Sequence, residues 1–526
     1  MTNYTRRNFL KTLGVFSAAT LGGFGQGCAS LTGGRKNQRR PNIVFFLVDD
    51  MGWMDTTVYG SKYYETPSME RLAKRSMMFT DAYTASPLCS PTRSSIMSGK
   101  YPARTGLTSA AGHLAPRSDD ASRYPEKTAA KNKMILPRTR RFLHTEEYTI
   151  AEALRDGGYR TAHIGKWHLG LEPRHWPEEQ GFEVSFHAAP DPGPRKYFSP
   201  YLWDKGTVTD GPEGEYITDR ITDEALKFVE EHRDEPFLLH LWQYGVHGPW
   251  EAKEEYTKYF AKKKDPRGKQ GNPIMASMLK SVDESLGRLM DKLDELKLTE
   301  NTIIIFFSDN GGNIHSNLPT DSKAIKAMKM DKSTLQRQRI EAWRHYAGDL
   351  PPTNNYPLRK GKAWIYEGGT RVPLMISWPG TVEPGSKCSE VVSSVDFYPT
   401  MLKMSGVSPN KEQLVDGESI VPLLKQTGTL KRDAIFCYFP HGGPTRPAGV
   451  YVRRGDWKLI RWYLTGPDNP EEFELYNLKD DISETKNLAK EMPERVKELN
   501  ALIDAHLKET GAAVPIPNPA YDPGKR

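Results

Sequence analysis

Residues 41–53, PNIVFFLVDDMGW, carry the strongest structural signal in this chain. The apolar run from Ile43 to Val48 is continuous rather than alternating, which is typical of a strand buried on both faces of a sheet. Asp49 and Asp50 follow the run at once. The stretch therefore predicts a strand of a buried sheet, with two carboxylates placed where that strand leaves the core.

Three further segments repeat this design later in the chain. They are GYRTAHIGKWHLG (158–170), EPFLLHLWQYGVHGPW (235–250) and NTIIIFFSDNGGN (301–313). Helical segments lie between the strands, and one of them has apolar residues three or four apart from Met278 to Leu293, which form one helix face. Alternating strands and helices predict an α/β fold with a mostly parallel sheet covered on both sides. Ligands of such sheets bind beyond the carboxyl ends of the strands, where the polar clusters lie.

The C-terminal part of the chain has a different pattern. The segments AIFCYF, GVYVRRGDWKLIRWY and EFELYNL indicate short neighbouring strands, and a helix follows over about 491–508. This pattern predicts a small antiparallel sheet with one packed helix. The chain then divides into a leader and linker (1–40), a catalytic domain (41–429) and a C-terminal domain (430–526). Two long polar segments, 101–147 and 313–355, lie inside the catalytic part, where such loops are usually functional.

Composition limits the class of protein. The 526 residues are 37% hydrophobic and 26% charged, with a formal net charge of +7. The basic residues are not concentrated in one arm, so we expect no nucleic-acid partner; a basic surface that attracts anionic substrates fits this charge. Four cysteines do not make a disulfide framework. Cys388 and Cys437 are expected to be buried thiols, although the sequence leaves a pairing between them open.

The N-terminus resembles a twin-arginine export signal. Arg6 and Arg7 precede a short apolar stretch rich in Ala and Gly, which is too short and too broken by glycine for a membrane span. Cys28 is a candidate lipoprotein acceptor, although Gly25 stands where a larger aliphatic residue is usual. We therefore expect export to the periplasm or cell surface, and contact with a membrane only if Cys28 is lipidated.

Two acidic clusters after buried strands indicate a metal site. Asp49, Asp50, Asp309 and Asn310 supply three carboxylates and an amide oxygen. Hard oxygen donors of this kind suit Ca²⁺ or Mg²⁺. One such pair alone would more often form a turn or cap a helix. Two such pairs, each directly after a buried strand, favour a metal site.

A single cysteine stands in SPLCSPTRSSIMSGK, residues 86–100. Ser90 and Pro91 resemble a helix N-cap followed by proline at the first helical position. This places Cys89 at a helix N-terminus, where backbone amides favour negative charge, with Arg93 one turn along. A thiolate nucleophile and a buried structural thiol are both compatible with this pattern.

The motif Cys-Ser-Pro-Thr-Arg at 89–93, followed by Met-Ser-Gly-Lys, resembles the signature of the formylglycine-dependent sulfatases. Other segments are similar to that family in the same order. They are VDDMGW (48–53), GKWHLG (165–170), VHGPW (246–250), SDNGG (308–312), PLRKGKAWIYEGGTRVP (357–373), DFYPT (396–400) and ELYNLKDDISETKNLA (474–489). The resemblance implies an alkaline-phosphatase-like α/β sandwich with a smaller C-terminal sheet domain.

The resemblance also implies the chemistry. In that family a separate maturation enzyme oxidises the motif cysteine to formylglycine, and the substrates are sulfate esters. One hydroxyl of the hydrated aldehyde, polarised by Ca²⁺, would attack sulfur, and deprotonation of the other would expel sulfate. The implied Ca²⁺ ligands are Asp49, Asp50, Asp309, Asn310 and the modified Cys89.

Five basic side chains acquire roles from the same resemblance. Arg93 and Lys166 would stabilise the hydrated aldehyde and its charge, and His168 would take the proton of the second hydroxyl. His247 and Lys362 would bind the sulfate, and one of them would protonate the leaving oxygen. Each has an ordinary alternative, because a histidine after a strand is often a turn residue and an isolated lysine or arginine is often a surface charge.

Residues around these motifs have further interpretations. Asp396 is expected to anchor a helix start rather than take part in chemistry. The candidate substrate contacts are His315, Trp364 and Trp250. The histidines expected to be structural are His175, His187 and His240.

Three functions are compatible with the sequence. The first is a sulfatase acting on sulfated carbohydrate. The second is a phosphonate or phosphate ester hydrolase, since related enzymes share the aldehyde and the metal. The third is a non-catalytic sulfoglycan-binding protein in which Cys89 is not converted. Substrate specificity is expected to lie in residues 101–147, 174–215 and 313–356.

Overall fold

The computed structural model describes most of the chain after the leader. The described residues are 39–118, 122–189, 193–203, 205–316, 318, 335–442, 447–464 and 472–525. Arg6, Arg7 and Cys28, on which the predictions of export and lipidation depend, lie outside them. Within the described ranges, none of the helices has the length and apolar character needed to cross a bilayer.

An eight-stranded sheet forms the centre of the structure. Its strands, numbered along the chain and given in spatial order, are β12 (Lys387–Cys388), β2 (Met77–Phe79), β11 (Leu374–Ser377), β10 (Thr302–Ser308), β1 (Asn42–Val48), β9 (Phe237–Trp242), β5 (Arg160–Gly165) and β6 (Val184–Phe186). Strand β11 runs antiparallel to both neighbours, and the other pairs are parallel. The prediction of a mostly parallel sheet is confirmed.

Strand β1 lies in the middle of this sheet with all seven residues buried. Phe46 lies opposite Phe306 of β10 and Leu241 of β9. Val44 and Phe46 enter the hydrophobic core on one face, whereas Phe45 enters the core on the other. Each such side chain contributes about 1.5–3 kcal/mol when fully buried. Burial on both sides explains why the strand sequence is apolar without alternation.

Helices cover both faces of the sheet. The α-helices of the described residues are α1 (Pro67–Ala73), α2 (Cys89–Ser98), α3 (Pro102–Thr105), α4 (Ile150–Asp156), α5 (Ile217–Glu231), α6 (Glu254–Phe260), α7 (Pro273–Glu295), α8 (Leu335–Tyr346), α9 (Glu367–Thr370), α10 (Phe397–Ser405), α11 (Val421–Leu424) and α12 (Pro493–Glu509). Helices α1, α5 and α7 contribute to one core, and α2, α4 and α10 to the other. The predicted apolar face of α7, from Met278 to Leu293, is buried.

The C-terminal segment forms a four-stranded antiparallel sheet. Its strands are β14 (Ala434–Phe439), β15 (Gly449–Arg454), β16 (Trp457–Trp462) and β17 (Phe473–Asn477). One face packs against α12, and the other contacts residues that include Trp364 and Tyr366. The predicted strands and helix are confirmed, whereas the domain boundary at residue 430 stays a prediction.

Three short strand pairs complete the described fold. They are β3 (Ala82–Tyr83) with β13 (Val392–Ser393), β4 (Met134–Ile135) with β18 (Ile516–Pro517), and β7 (Ala188–Ala189) with β8 (Lys205–Gly206). The β4–β18 pair ties segment 101–147 to the C-terminal tail. Segment 313–355 contains α8, a helix that the sequence pattern did not predict. Its buried residues are Ile340 and Trp343, too few apolar positions to produce a periodic pattern.

Cys388 and Cys437 were both predicted to be buried thiols, and this prediction is wrong for Cys388. Cys388 and Cys437 are both free thiols, so they do not pair. Cys437 is buried in β14 as expected. Cys388 is only half-buried, because it lies in β12 at the edge of the large sheet.

Candidate active site

The carboxyl ends of the central strands deliver the acidic residues to one place. Strands β1 and β10 are paired to their last residues, so Asp49 and Asp309 leave the sheet side by side. The backbone N–H of Asp50 donates to Asp309 Oδ1 at 3.2 Å. The Asn310 amide donates to Asp50 Oδ1 at 2.9 Å. All four side chains are buried.

Cys89 is the first residue of α2, with Leu88 as the N-cap. The prediction that Ser90 is the N-cap is wrong, because Ser90 lies inside the first helical turn. Its hydroxyl instead donates to the backbone carbonyl of His168 at 2.8 Å. The predicted position of Cys89 at the helix N-terminus is nevertheless confirmed.

Four side chains meet closely enough to hold a metal ion. The sulfur of Cys89 and one oxygen each of Asp49, Asp50 and Asp309 all lie within 4.8 Å of one another. Asp49 Oδ1 and Asn310 Oδ1 are buried, and neither has a hydrogen-bond partner among the described residues. Buried oxygen atoms without partners are costly, and a cation would satisfy them. The donor set therefore fits a divalent ion that prefers oxygen ligands.

Arg93 joins three parts of the site from one turn into α2. Its Nε and Nη2 donate to Asp309 Oδ2 at 2.9 and 2.7 Å. Its Nη1 donates to the carbonyl of Lys166, just after β5, at 2.5 Å. The guanidinium carbon lies 5.2 Å from the ring centre of Trp242. These contacts tie α2 to the ends of β10, β5 and β9.

Two lysines contact the remaining carboxylates. Lys166, buried after β5, donates to Asp49. Lys362 donates to Asp50 Oδ2 at 2.8 Å. The backbone N–H of Lys362 donates to the Gly312 carbonyl, so the loop that carries this lysine is held against the end of β10. Each carboxylate of the cluster therefore has a cationic neighbour.

The acids titrate differently because their surroundings differ. Burial and the neighbouring charge of Asp309 raise the pKa of Asp49 to about 8. Burial acts on Asp50 too, but the charges of Lys362 and Lys166 oppose it, and the pKa of Asp50 lies well below its usual range. Additional positive charge is therefore needed to keep the whole cluster ionised at neutral pH, as a bound divalent ion would supply.

His168 and His247 lie at the ends of neighbouring strands. His168 adopts a left-handed backbone conformation with φ of 60°, and its Nε2 lies 3.0 Å from Nδ1 of His113. Nδ1 of His247 lies 2.6 Å from the Gly248 carbonyl, and its Nε2 lies 3.9 Å from Asp50 Oδ2. A ring nitrogen of His247 lies within 4.8 Å of Cys89 Sγ and of a carboxylate oxygen of Asp50. The His168 ring lies close enough to Lys166 and Arg93 for their charges to act on it.

Both histidines have strongly lowered pKa values. Burial followed by the charge of Lys166 lowers the pKa of His168 well below 6.5. Burial followed by the charge of Lys362 does the same for the pKa of His247. Both rings are therefore neutral near pH 7, a state in which each has one nitrogen able to accept a proton.

The structure brings the predicted site residues together at these strand ends. They are Asp49, Asp50, Cys89, Arg93, Lys166, His168, His247, Asp309, Asn310 and Lys362. Their individual roles stay predictions. Asp396 lies elsewhere: it accepts from the Ser393 backbone N–H in a capping box and pairs with Arg432, which confirms its predicted structural role.

A cavity of about 260 Å³ opens beside His247 and Lys362. Trp250, a predicted substrate contact, lines it together with Gln336 and Arg339 of α8. The two α8 residues were missed in the sequence because their helix was not predicted. The lining combines the Trp250 ring with the cationic side chains of Arg339 and Lys362, which suits a polar ligand that carries an anionic group.

Trp364 does not line that cavity, and its contact with substrate stays a prediction. It is 3% exposed and packs in the hydrophobic cluster against the four-stranded sheet. His315 is exposed, and its contact with substrate stays a prediction.

Three further histidines were expected to be structural. His175 stacks on Phe142, and His240 stacks on Trp242, as expected for structural rings. His187 is buried beside Trp176 and also fits a structural role.

His113 is another residue near the site that the sequence did not single out. It lies in segment 101–147, which was expected to be functional as a whole. Several other site residues were identified because they follow a predicted strand or begin a predicted helix. No strand or helix ends at His113, so the sequence pattern did not identify it. Its proximity to His168 becomes visible only when the loop is folded over the end of β5.

Comparison with known proteins agrees with this geometry. The family model described as Sulfatase matches residues 41–407 of the chain. This chain belongs to the sulfatase family. A second model, N-sulphoglucosamine sulphohydrolase, C-terminal, matches residues 360–512. The protein is therefore a sulfuric ester hydrolase, and the fold expected from the resemblance is confirmed.

The relatives of this sulfatase include enzymes from animals and bacteria. It is 28% identical to N-acetylgalactosamine-6-sulfatase of Sus scrofa, over 82% of this chain and 73% of the relative. It is 28% identical to a sulfatase of Formosa agariphila, over 86% of this chain and 85% of that protein.

Two solved structures have folds similar to that of this sulfatase. The crystal structure of Ps i-CgsB in complex with k-i-k-neocarrahexaose has a TM-score of 0.69 at 26% identity, covering 89% of this chain and 93% of that one. Phosphonate monoester hydrolase of Agrobacterium radiobacter has a TM-score of 0.58 at 18% identity, covering 89% of this chain and 96% of that one. The second comparison shows a shared fold alone.

Proposed function

We propose that this sulfatase removes sulfate from sulfated carbohydrates, using a formylglycine made from Cys89 and a bound Ca²⁺. The observation that carries the proposal is the position of Cys89, at the start of α2 and within 4.8 Å of oxygen atoms from three buried carboxylates. An unmodified thiol is poorly suited to act here, because burial raises the pKa of Cys89 to about 12. Conversion to an aldehyde removes that obstacle.

The metal would be held by oxygen atoms from two strand ends. Asp49, Asp50, Asp309 and Asn310 would be its protein ligands, and residue 89 would complete the set. We favour Ca²⁺ because it accepts several carboxylate and amide oxygens, whereas Mg²⁺ usually keeps more of its waters. When bound, Ca²⁺ would polarise the oxygen atoms that it contacts.

The surrounding side chains would bind and orient the sulfate group. The hydrated aldehyde would supply the hydroxyl nucleophile. Lys362 and His247 border the cavity and would bind the sulfate oxygens. Although burial lowers the pKa of Lys362, the charge of Asp50 outweighs it and raises that pKa, so this lysine stays cationic. Arg93 and Lys166 would provide fixed positive charge around the reacting group.

His168 would serve as the base. Its Nδ1 is buried and has no hydrogen-bond partner among the described residues. A neutral ring with a free nitrogen accepts a proton without first losing one. His168 would therefore take the proton of the second hydroxyl at position 89. The leaving oxygen would be protonated by Lys362, which stays cationic, or by His247 in its protonated form.

Carbohydrate is the favoured carrier of the sulfate. One relative is named N-acetylgalactosamine-6-sulfatase, and one similar structure is described as a complex with neocarrahexaose. In this chain the cavity beside the site is lined by Trp250, Gln336 and Arg339. An aromatic ring with amide and guanidinium groups is suited to a sugar, since it offers both a flat apolar face and hydrogen-bond donors.

The proposal is tested by making the protein together with a formylglycine-generating enzyme. The tryptic peptide 76–93, which contains Cys89, should lose about 18 Da when the thiol becomes an aldehyde, a change outside the usual cysteine oxidation products. The converted protein should release sulfate from an aryl sulfate and from members of a panel of defined sulfated saccharides. An unconverted thiol in active protein, or faster hydrolysis of an aryl phosphonate than of the aryl sulfate, would contradict the proposal.

Removal of the metal should abolish activity. After treatment with a chelator, we expect sulfate release to stop and then return on addition of Ca²⁺, with weaker recovery from Mg²⁺. The melting temperature should also rise with Ca²⁺, because a ligand present at about 100 times its Kd stabilises the folded state by about 2.7 kcal/mol. Full activity in a chelated sample free of metal by elemental analysis would exclude a metal role.

Export is a further part of the proposal. The pair Arg6-Arg7 and the apolar stretch after it suggest the twin-arginine route. That route generally carries folded proteins, so the modified residue and the metal would be installed before crossing. Finding unconverted Cys89 in protein recovered from the periplasm would contradict this order of events.

A further inference from the structure

We propose that His113 is a positioning residue for the sulfatase reaction. It accepts a hydrogen bond from Nε2–H of His168 and so leaves Nδ1 of His168 free to receive a proton. This inference rests on the proposed function, in which His168 removes a proton from the second hydroxyl at position 89. In that transfer the O–H bond breaks and an N–H bond forms at His168 Nδ1. The freed electron pair forms the C=O bond of the aldehyde as the C–O bond to sulfate breaks and sulfate leaves.

The first observation is the geometry of the two rings. His113 Nδ1 and His168 Nε2 are 3.0 Å apart, which is a normal hydrogen-bond distance. The ring centres are 5.2 Å apart, and the planes are inclined by 33°. His168 is 5% exposed and His113 is half-buried, so little water competes for this bond.

The second observation is the close packing of the segments that carry the two rings. Ser90 Oγ donates to the His168 carbonyl at 2.8 Å, and the Gly112 N–H donates to the same Ser90 oxygen at 3.2 Å. A Cβ atom at Gly112 would lie 1.8 Å from the His168 carbonyl oxygen, so only glycine fits there. The loop is thus held against His168 by its backbone, and His113 follows directly from that contact.

The third observation decides the direction of the hydrogen bond. A neutral imidazole has one donor and one acceptor nitrogen. If Nδ1 of His168 carried the hydrogen, a buried donor would have no partner among the described residues, and the ring would have no free site for a proton. With the hydrogen on Nε2, the donor is satisfied by His113 and Nδ1 is an acceptor. A base oriented by a third group is the arrangement that general-base catalysis commonly needs.

The test compares His113→Ala with His113→Asn in converted, Ca²⁺-loaded enzyme. We expect His113→Ala to lower kcat by about 10- to 100-fold on both a small aryl sulfate and a sulfated saccharide, with little change in KM. His113→Asn should recover most of the lost activity, because its side-chain oxygen stands near the original Nδ1 position. Conversion of peptide 76–93 and the Ca²⁺-dependent melting temperature should be unchanged in both variants.

His144→Ala is the matched control. This histidine lies in the same segment and pairs with Glu146 at the surface, so its loss should leave kcat unchanged. A defect confined to KM for the saccharide would make His113 a substrate contact and overturn the proposal. Equal loss in the Ala and Asn variants, or no loss in either, would also overturn it. Absence of sulfatase activity in the unmutated, converted enzyme would instead refute the proposed function itself.

Discussion

Cys89→Ala should eliminate sulfate release, with kcat lowered by about 10⁴-fold or more, as is typical when a nucleophile is removed. The physical reason is that alanine cannot be converted to an aldehyde, so no hydroxyl is available to attack sulfur. The other groups around the cluster, such as Lys362 and His247, would still bind the sulfate. We therefore expect substrate binding to survive while turnover is lost, and this is measured by equilibrium binding and by steady-state kinetics.

Cys388→Ala is the control for that experiment. Cys388 is also a free thiol, but it lies in β12 at the far edge of the large sheet rather than at the head of α2. Its replacement should leave kcat within about twofold of the unmutated enzyme, as most substitutions away from functional features have small effects. Retention of more than a tenth of the activity by a homogeneous Cys89→Ala sample would contradict the proposed nucleophile.

Of the substitutions that we propose, Lys458→Met should lower the free energy of unfolding most. Lys458 lies in β16, and its Nζ is 2.9 Å from oxygen atoms of both Glu367 and Glu484. All three side chains are fully buried. Methionine keeps the apolar stem but removes the ion-pair partner of buried Glu484. It also leaves Glu367 with Arg371, at 3.3 Å, as its remaining ion-pair partner. Breaking this buried network should lower the free energy of unfolding by about 3–5 kcal/mol. Urea denaturation followed by circular dichroism measures this change.

The control for Lys458 is a lysine in an exposed ion pair. Lys258 contacts Glu254 four residues earlier on α6, and the two side chains are 61% and 72% exposed. Water already solvates both charges, so Lys258→Met should change the free energy of unfolding by less than about 0.5 kcal/mol. Similar changes in the free energy of unfolding for the two substitutions would show that burial does not determine how much Lys458 stabilises the fold.

The Lys458→Met defect should depend on pH. Burial and the neighbouring charge of Glu367 raise the pKa of Glu484 to about 7 from its usual value of 4.5, although Lys458 opposes that shift. An acid whose pKa is raised in the folded state stabilises the fold when protonated, and that contribution is lost as the pH rises from 4.5 through about 7. Without Lys458 the two carboxylates repel more strongly. The destabilisation should therefore be larger at pH 8 than at pH 6, and an equal loss at both values would contradict this assignment.

Much of the fold was predictable because its main signals are local. The apolar run before Asp49 and the similar run before Asp309 each showed a strand buried on both faces. The spacing of apolar residues in α7 likewise identified its buried face. Helix α8 escaped prediction because two buried residues do not establish a period. Ser90 was misassigned because a cap depends on which acceptor the hydroxyl meets, and that acceptor is 78 residues away at His168.

The amino-acid sequence by itself determined the strand pattern, the acids that follow the strands and the motif around Cys89. These features depend on residue type and short spacing, which set local conformation and burial. Only the tertiary structure decided that Trp364 packs in a core, that His113 meets His168, and that Lys458 lies between two buried glutamates. Such contacts join segments far apart in the chain, so they depend on how whole elements pack, and no local spacing specifies that packing.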